Sequence, residues 1–126
     1  PPFVPDGSNT GADQEQQVGQ HHDGMHYFPI APGMIGNRAG LLCVNHEYVQ
    51  QDTLLPNGPT IAGGKRTVED EVRKEIAAHG VSVVEIFRDE RSREWKVARS
   101  RYNRRITGAT PMEITGPVRG SRWVQT

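Results

Sequence analysis

The sequence predicts a mainly β fold, about one antiparallel, blade-like sheet of four strands with one helix inserted near residues 67–79. Three observations predict it. The 126 residues include 14 glycines and 9 prolines, a density that favours many turns and short strands over long helices. Residues 40–49 and 81–88 are rich in β-branched and apolar side chains that suit a pleated sheet. Only one segment, residues 67–80, carries a helical pattern. Four strands in sequence with a helix between the second and third match one blade of a propeller or a small antiparallel sheet. No internal repeat is present, so a whole propeller is excluded.

Residues 1–20 carry Pro, Gly, Asn, Asp and Gln with almost no periodicity, and read as an irregular arm, loop-like or disordered. Residues 21–126 form the partial domain. A polar cluster from His21 leads into a short aromatic strand that ends at Pro29, and Pro32, Gly33 and Gly36 predict a turn. Residues 40–49 follow as the second strand. Residues 50–66, with Pro56, Gly58, Pro59, Gly63 and Gly64, predict a long loop.

The helix should start at Thr67 as N-cap, with Glu69, Asp70 and Glu71 at the positive end of its dipole. Val68, Val72 and Ile76 form a narrow apolar stripe, and Glu69–Arg73 and Asp70–Lys74 are spaced to pair along the helix. Gly80 suits the position just past the C-cap. Residues 81–88 and 94–100 predict a hairpin around the polar turn 89–93, with Trp95 and Val97 on one face. Residues 102–126 are turn-rich and polar.

Hydrophobic residues make up 34% of the chain, a thin supply for an independent core. Fifteen basic residues balance fifteen acidic ones, so net charge indicates neither a nucleic-acid nor a membrane partner. Nucleic acid is disfavoured further because no aromatic platform alternates with the arginines at 88, 91, 93, 99, 101, 104 and 105. No apolar run is long enough for membrane insertion or a signal peptide. The start at Pro1-Pro2 reads as an excised or processed piece, from which an export signal could have been removed. The single cysteine excludes an internal disulfide.

The second strand carries the chemistry. Alternation puts Leu41, Cys43, Asn45 and Glu47 on one face and Leu42, Val44, His46 and Tyr48 on the other. A thiol, an amide and a carboxylate in a row are costly to desolvate unless a cation, a substrate or a polar network meets them. Four of the five histidines fall between His21 and His46, together with Asp23, Cys43 and Glu47, a set suited to iron or another transition metal. The blander alternatives are a buried apolar role for Cys43, a solvent-facing edge position for Glu47, and exposed loop positions for His21 and His22. Most of the arginines fit a solvated hairpin, although guanidinium groups also suit phosphate oxygens.

Four blocks taken together are familiar. His22-Asp-Gly-Met-His-Tyr-Phe-Pro29, Gly40-Leu-Leu-Cys-Val-Asn-His-Glu-Tyr48, Ala78-His-Gly-Val-Ser-Val-Val-Glu85 and Tyr102-Asn-Arg-Arg-Ile-Thr107 with Thr110-Pro-Met112 resemble the PhoX family of bacterial alkaline phosphatases in order and spacing. The resemblance implies a piece of a larger, six-bladed β-propeller that hydrolyses small phosphate monoesters with iron (Fe3+) and calcium (Ca2+). It implies twin-arginine export to the periplasm or beyond. It implies Cys43 as an iron ligand, with Glu47 and Asp23 at the metals, and His21, His22 and Asn45 as catalytic residues. Arg104 and Arg105 are the expected substrate contacts. Family members are several times longer, so this chain alone is expected to be inactive, and open sheet edges invite pairing with another chain. Two rival readings stand beside it: a metal-free, non-catalytic blade, and another metal-dependent hydrolase such as a phosphodiesterase.

Overall fold

The structure, a computed structural model, describes residues 1–30 and 37–123. The expected turn at Pro32, Gly33 and Gly36 lies outside the described residues. One antiparallel sheet dominates, as expected. It contains β1 (Met25–Pro29), β2 (Ala39–His46), β5 (Gly80–Arg88), β6 (Trp95–Val97) and β7 (Arg104–Thr107). The order is β1-β2-β5, and β6 and β7 both pair with the far edge of β5. The connection from β2 to β5 holds α2 (Gln51–Leu54), the two-residue strands β3 (Ile61–Ala62) and β4 (Lys65–Arg66), and α3 (Glu69–Ala78).

The register fixes two faces. Cys43 lies opposite His26 on β1 and Val83 on β5, and Val83 in turn lies opposite Arg104. Directly opposed residues share a face, so His26, Cys43, Val83 and Arg104 form one row across four strands. The reverse face carries the row Met25, Val44, Ser82 and Arg105. The β5–β6 hairpin forms where the sequence predicts it, with Arg88 opposite Trp95 and Ile86 opposite Val97, but its second strand is Trp95–Val97 rather than residues 94–100.

Several elements differ from expectation. Strand β2 ends at His46, so Tyr48 and Val49 lie beyond it. Residues 104–107, read as polar loop, form β7, because four residues with two arginines carry too little alternation to mark a strand that β5 pairs into place. The long loop 50–66 supplies Leu54 and Leu55, which with Ala78 make the small hydrophobic core and hold the half-buried Val49. The tip of its hairpin is Gly63-Gly64, both at positive φ (58° and 75°), as a tight two-residue turn requires.

Helix α3 is capped at Val68 rather than Thr67, without a side-chain hydrogen bond. Its expected apolar stripe is largely exposed: Val68 is 38% and Ile76 44% exposed. Lys74, Ala77 and Ala78 are the buried residues instead. The physical reason is the N-terminal arm, which packs closely on the face of α3 that carries Asp70, Arg73, Lys74 and Ala78. A Cβ on Gly19 would overlap the Ala78 carbonyl, and one on Gly11 would meet Asp70 and Arg73.

The arm is tied down through this contact. Its helix α1 (Gly11–Gln14) is closed by a Thr10–Asp13 capping box. Asp70 accepts the Gly11 N–H at 3.0 Å, Arg73 pairs with Glu15 at 2.8 Å, and Lys74 Nζ donates to the carbonyls of Gly7 and Leu54. These bonds to the arm engage the side chains expected to pair along the helix. Gly80, at φ +117°, begins β5 one residue after the C-cap His79. Among the described residues no helix is long and apolar enough to cross a membrane.

Candidate functional site

The end of β2 and the turn before β1 are zipped together by one side chain. The Asn45 side-chain oxygen accepts the backbone N–H groups of Asp23, at 2.9 Å, and Gly24, at 2.8 Å. The Asn45 backbone N–H donates to the Gly24 carbonyl at 2.9 Å, and its carbonyl accepts from His22 Nδ1 at 3.0 Å. One residue further, Glu47 N–H reaches the His21 carbonyl at 3.4 Å. The desolvation cost that the sequence raised for Asn45 is thus offset by the turn's own N–H groups.

Five of the eight candidate residues, His21, His22, Asp23, Asn45 and Glu47, therefore meet at the C-terminal end of β2. His21 occupies the left-handed region (φ 49°), unusual for a residue with a side chain, and its ring stands edge-on to Tyr48 at 4.7 Å. Cys43 is two residues upstream on the Asn45 face, half-buried, and Glu47 is exposed just past the strand end. Alternation alone had placed Glu47 on the Cys43 face, but it does not govern a residue outside the strand.

The two arginines part company. Arg104 is exposed in the Cys43 row, two strands away, about 10 Å at the usual strand spacing. Arg105 points to the other face, where it donates to Ser82 Oγ (3.3 Å) and to the carbonyls of Ala77 (2.8 Å) and His79 (3.3 Å). Burial pulls its guanidinium below the ordinary value.

That reverse face holds the group the sequence reading passed over. His46 is 1% exposed. It sits opposite Gly80 and leans onto Ser82, with Nε2 2.7 Å from Ser82 Oγ. Its Nδ1 lies 2.9 Å from His22 Nδ1. Burial first, then the charges of Arg105 and His22, push His46 down to about 4 from an ordinary value of 6.5, so the ring is neutral near pH 7. The available signal was an imidazole on the apolar side of the alternation, beside Leu42 and Val44. Ser82, its partner, carried no signal of its own.

As metal donors, the Cys43 thiolate suits iron and the Glu47 and Asp23 carboxylates suit calcium. Among the described residues no three of His, Cys, Asp or Glu converge as a ligand set. The donors fit such metals in kind, and a full shell needs ligands beyond these.

None of the curated proteins compared matches the sequence. The solved structure of Pseudomonas fluorescens PhoX in complex with vanadate, a transition state analogue, is similar with a TM-score of 0.83 and 38% sequence identity. The match covers 100% of this chain and 20% of that one, so the chain spans about a fifth of its neighbour's length. The family model for alkaline phosphatase PhoX matches residues 2–126. From end to end, then, the chain belongs to the PhoX alkaline phosphatase family.

Proposed function

We propose that this chain supplies part of the active site of a metal-dependent phosphatase that hydrolyses phosphate monoesters within a larger β-propeller. The observation that carries this reading is the full-length match to a PhoX structure bound to vanadate. Vanadate stands in for a phosphoryl group in transit, so that neighbour handles phosphoryl transfer.

Iron and calcium, when bound, would neutralise phosphate oxygens and act as Lewis acids. Cys43, Glu47 and Asp23 are the residues here that would hold them. The turn at His21, His22 and Asp23, fixed by Asn45, would present its imidazoles toward the phosphate. Arg104 is free to turn outward on the Cys43 face and would steady phosphate charge. The donors of Arg105 serve the fold instead. Export to the periplasm or beyond is part of the proposal and rests on the family resemblance alone. That the 126-residue chain is inactive by itself is part of the proposal and is supported by its spanning about a fifth of its neighbour's length.

The test uses the full-length protein, assayed on p-nitrophenyl phosphate and bis-p-nitrophenyl phosphate with parallel metal analysis. Turnover of the monoester with stoichiometric iron is expected, and Cys43→Ala should lose both. Preference for the diester, or full iron and activity in Cys43→Ala, would overturn the assignment. Turnover by the 126-residue chain with added iron and calcium would overturn its incompleteness.

A further inference from the structure

We propose that His46 is a positioning residue, which transmits the order of the buried polar row Arg105–Ser82 to the turn at His21, His22 and Asp23 through its bond to His22. The proposal rests on the reading above that this turn faces the phosphate.

The hydrogen-bond directions follow from one acceptor. The Asn45 carbonyl can only accept, so His22 Nδ1 carries a proton. His46 Nδ1, 2.9 Å from the same nitrogen, finds no lone pair there to donate to and shares that single N–H with the Asn45 carbonyl as the second acceptor of a three-centre bond, which leaves the proton of the neutral ring on Nε2. That Nε2–H donates to Ser82 Oγ, which also accepts from Arg105 Nη1. The Arg105 guanidinium is anchored in turn on the last carbonyls of α3. A continuous chain therefore runs from the helix end, across the reverse face of the sheet, to an exposed imidazole. Gly19 closes the site from above, since a Cβ there would come within 2.8 Å of the His46 side chain. A buried imidazole with both nitrogens engaged and one defined tautomer holds its partner's ring in a single orientation.

Two substitutions separate positioning from packing. His46→Asn keeps an acceptor near the Nδ1 position and loses the Ser82 bond. His46→Gln keeps a donor near the Nε2 position and loses the His22 bond. In the full-length protein, His46→Gln should lower kcat for p-nitrophenyl phosphate on the order of 10- to 100-fold, with KM changed less. It should also speed hydrogen exchange in the peptide covering residues 21–24. His46→Asn should lose less kcat and exchange more slowly than His46→Gln at equal or lower thermal stability. Equal effects of the two variants, tracking their denaturation midpoints, would reduce His46 to a packing residue and overturn the proposal. If the wild-type protein lacks phosphatase activity, the functional reading falls. The exchange comparison still decides this one: faster exchange in His46→Gln than in His46→Asn supports it, and equal exchange overturns it.

Discussion

Asn103 acts as a piece of strand beside Glu85. Its side-chain oxygen accepts the Glu85 backbone N–H at 2.7 Å, while its amide nitrogen donates to the Ala98 carbonyl, also at 2.7 Å. The Ala98 N–H in turn bonds the Glu85 carbonyl at 2.8 Å. These contacts fill the break between β6 and β7 along one edge of β5, where no strand residue reaches Glu85 N–H. Removing the amide leaves two part-buried backbone groups without partners. Asn103→Ala should cost about 1–3 kcal/mol, read as a lower urea midpoint at unchanged slope. Arg99→Ala, an exposed neighbour, should change stability by less than about 0.5 kcal/mol. Equal midpoints for the two variants would show that the Asn103 contacts contribute nothing.

Gly80 is where the end of α3 meets strands β2, β5 and β7. It follows the C-cap of α3 directly, lies opposite both His46 and Thr107, and holds φ at +117°. A Cβ there would overlap the Ile106 carbonyl and be strained whatever the space. Gly80→Ala should therefore destabilise by roughly 3 kcal/mol or more, with β7 displaced from β5. Chemical denaturation followed by far-UV circular dichroism measures this. A loss under about 1 kcal/mol would mean that the β5–β7 contact relaxes freely.

The neutral buried state of His46 sets a pH dependence. Its folded value, about 4, lies below the ordinary 6.5, so the unfolded chain binds more protons between those limits. Stability is then fully present above pH 6.5 and declines as pH falls toward 4. The whole contribution is about 3 kcal/mol at most. Metal-free protein should show a lower urea midpoint at pH 4.5 than at pH 7.5. His46→Asn should flatten part of that decline, which separates His46 from the carboxylates that begin to titrate in the same range. Identical pH profiles for variant and wild type would assign the decline to those carboxylates.

Strong local signals were the ones legible in the sequence. The alternation of β2 as far as His46, the propensities of β5, the hairpin turn and Gly80 each belong to a few consecutive residues, and each forms as read. Leu54 and Leu55 were hidden because two apolar residues before a proline carry no period, and only contact with Ala78 makes them core. The helix face was misread for a related reason. Val68, Val72 and Ile76 satisfy a helical stripe, but the arm packs on another face of α3, at Asp70, Arg73, Lys74 and Ala78. Of the site, the residues gathered by Asn45 were visible as motifs. His46 was visible only as an exception to its own apolar face, and its partner Ser82 lies 36 positions away.

Arg104 and Arg105 are adjacent in sequence and opposite in role. Arg105 is bound to Ser82 and to two carbonyls at the end of α3; Ser82 keeps its bond to His46 without it, so Arg105→Met strands the two carbonyls. Its loss should cost about 2 kcal/mol or more in stability, with the urea midpoint as measure. Arg104 is exposed on the Cys43 face, and Arg104→Met should leave stability within about 0.5 kcal/mol of wild type. In the full-length protein the order should reverse for catalysis once the folded fraction is corrected. Arg104→Met should lose about tenfold in kcat/KM for a phosphate monoester, mostly through KM, because a charge-assisted hydrogen bond to phosphate contributes about 1.5–3 kcal/mol. A stable Arg105→Met that fails to bind phosphate, beside a fully active Arg104→Met, would exchange the two roles and place the phosphate on the His46 face of the sheet.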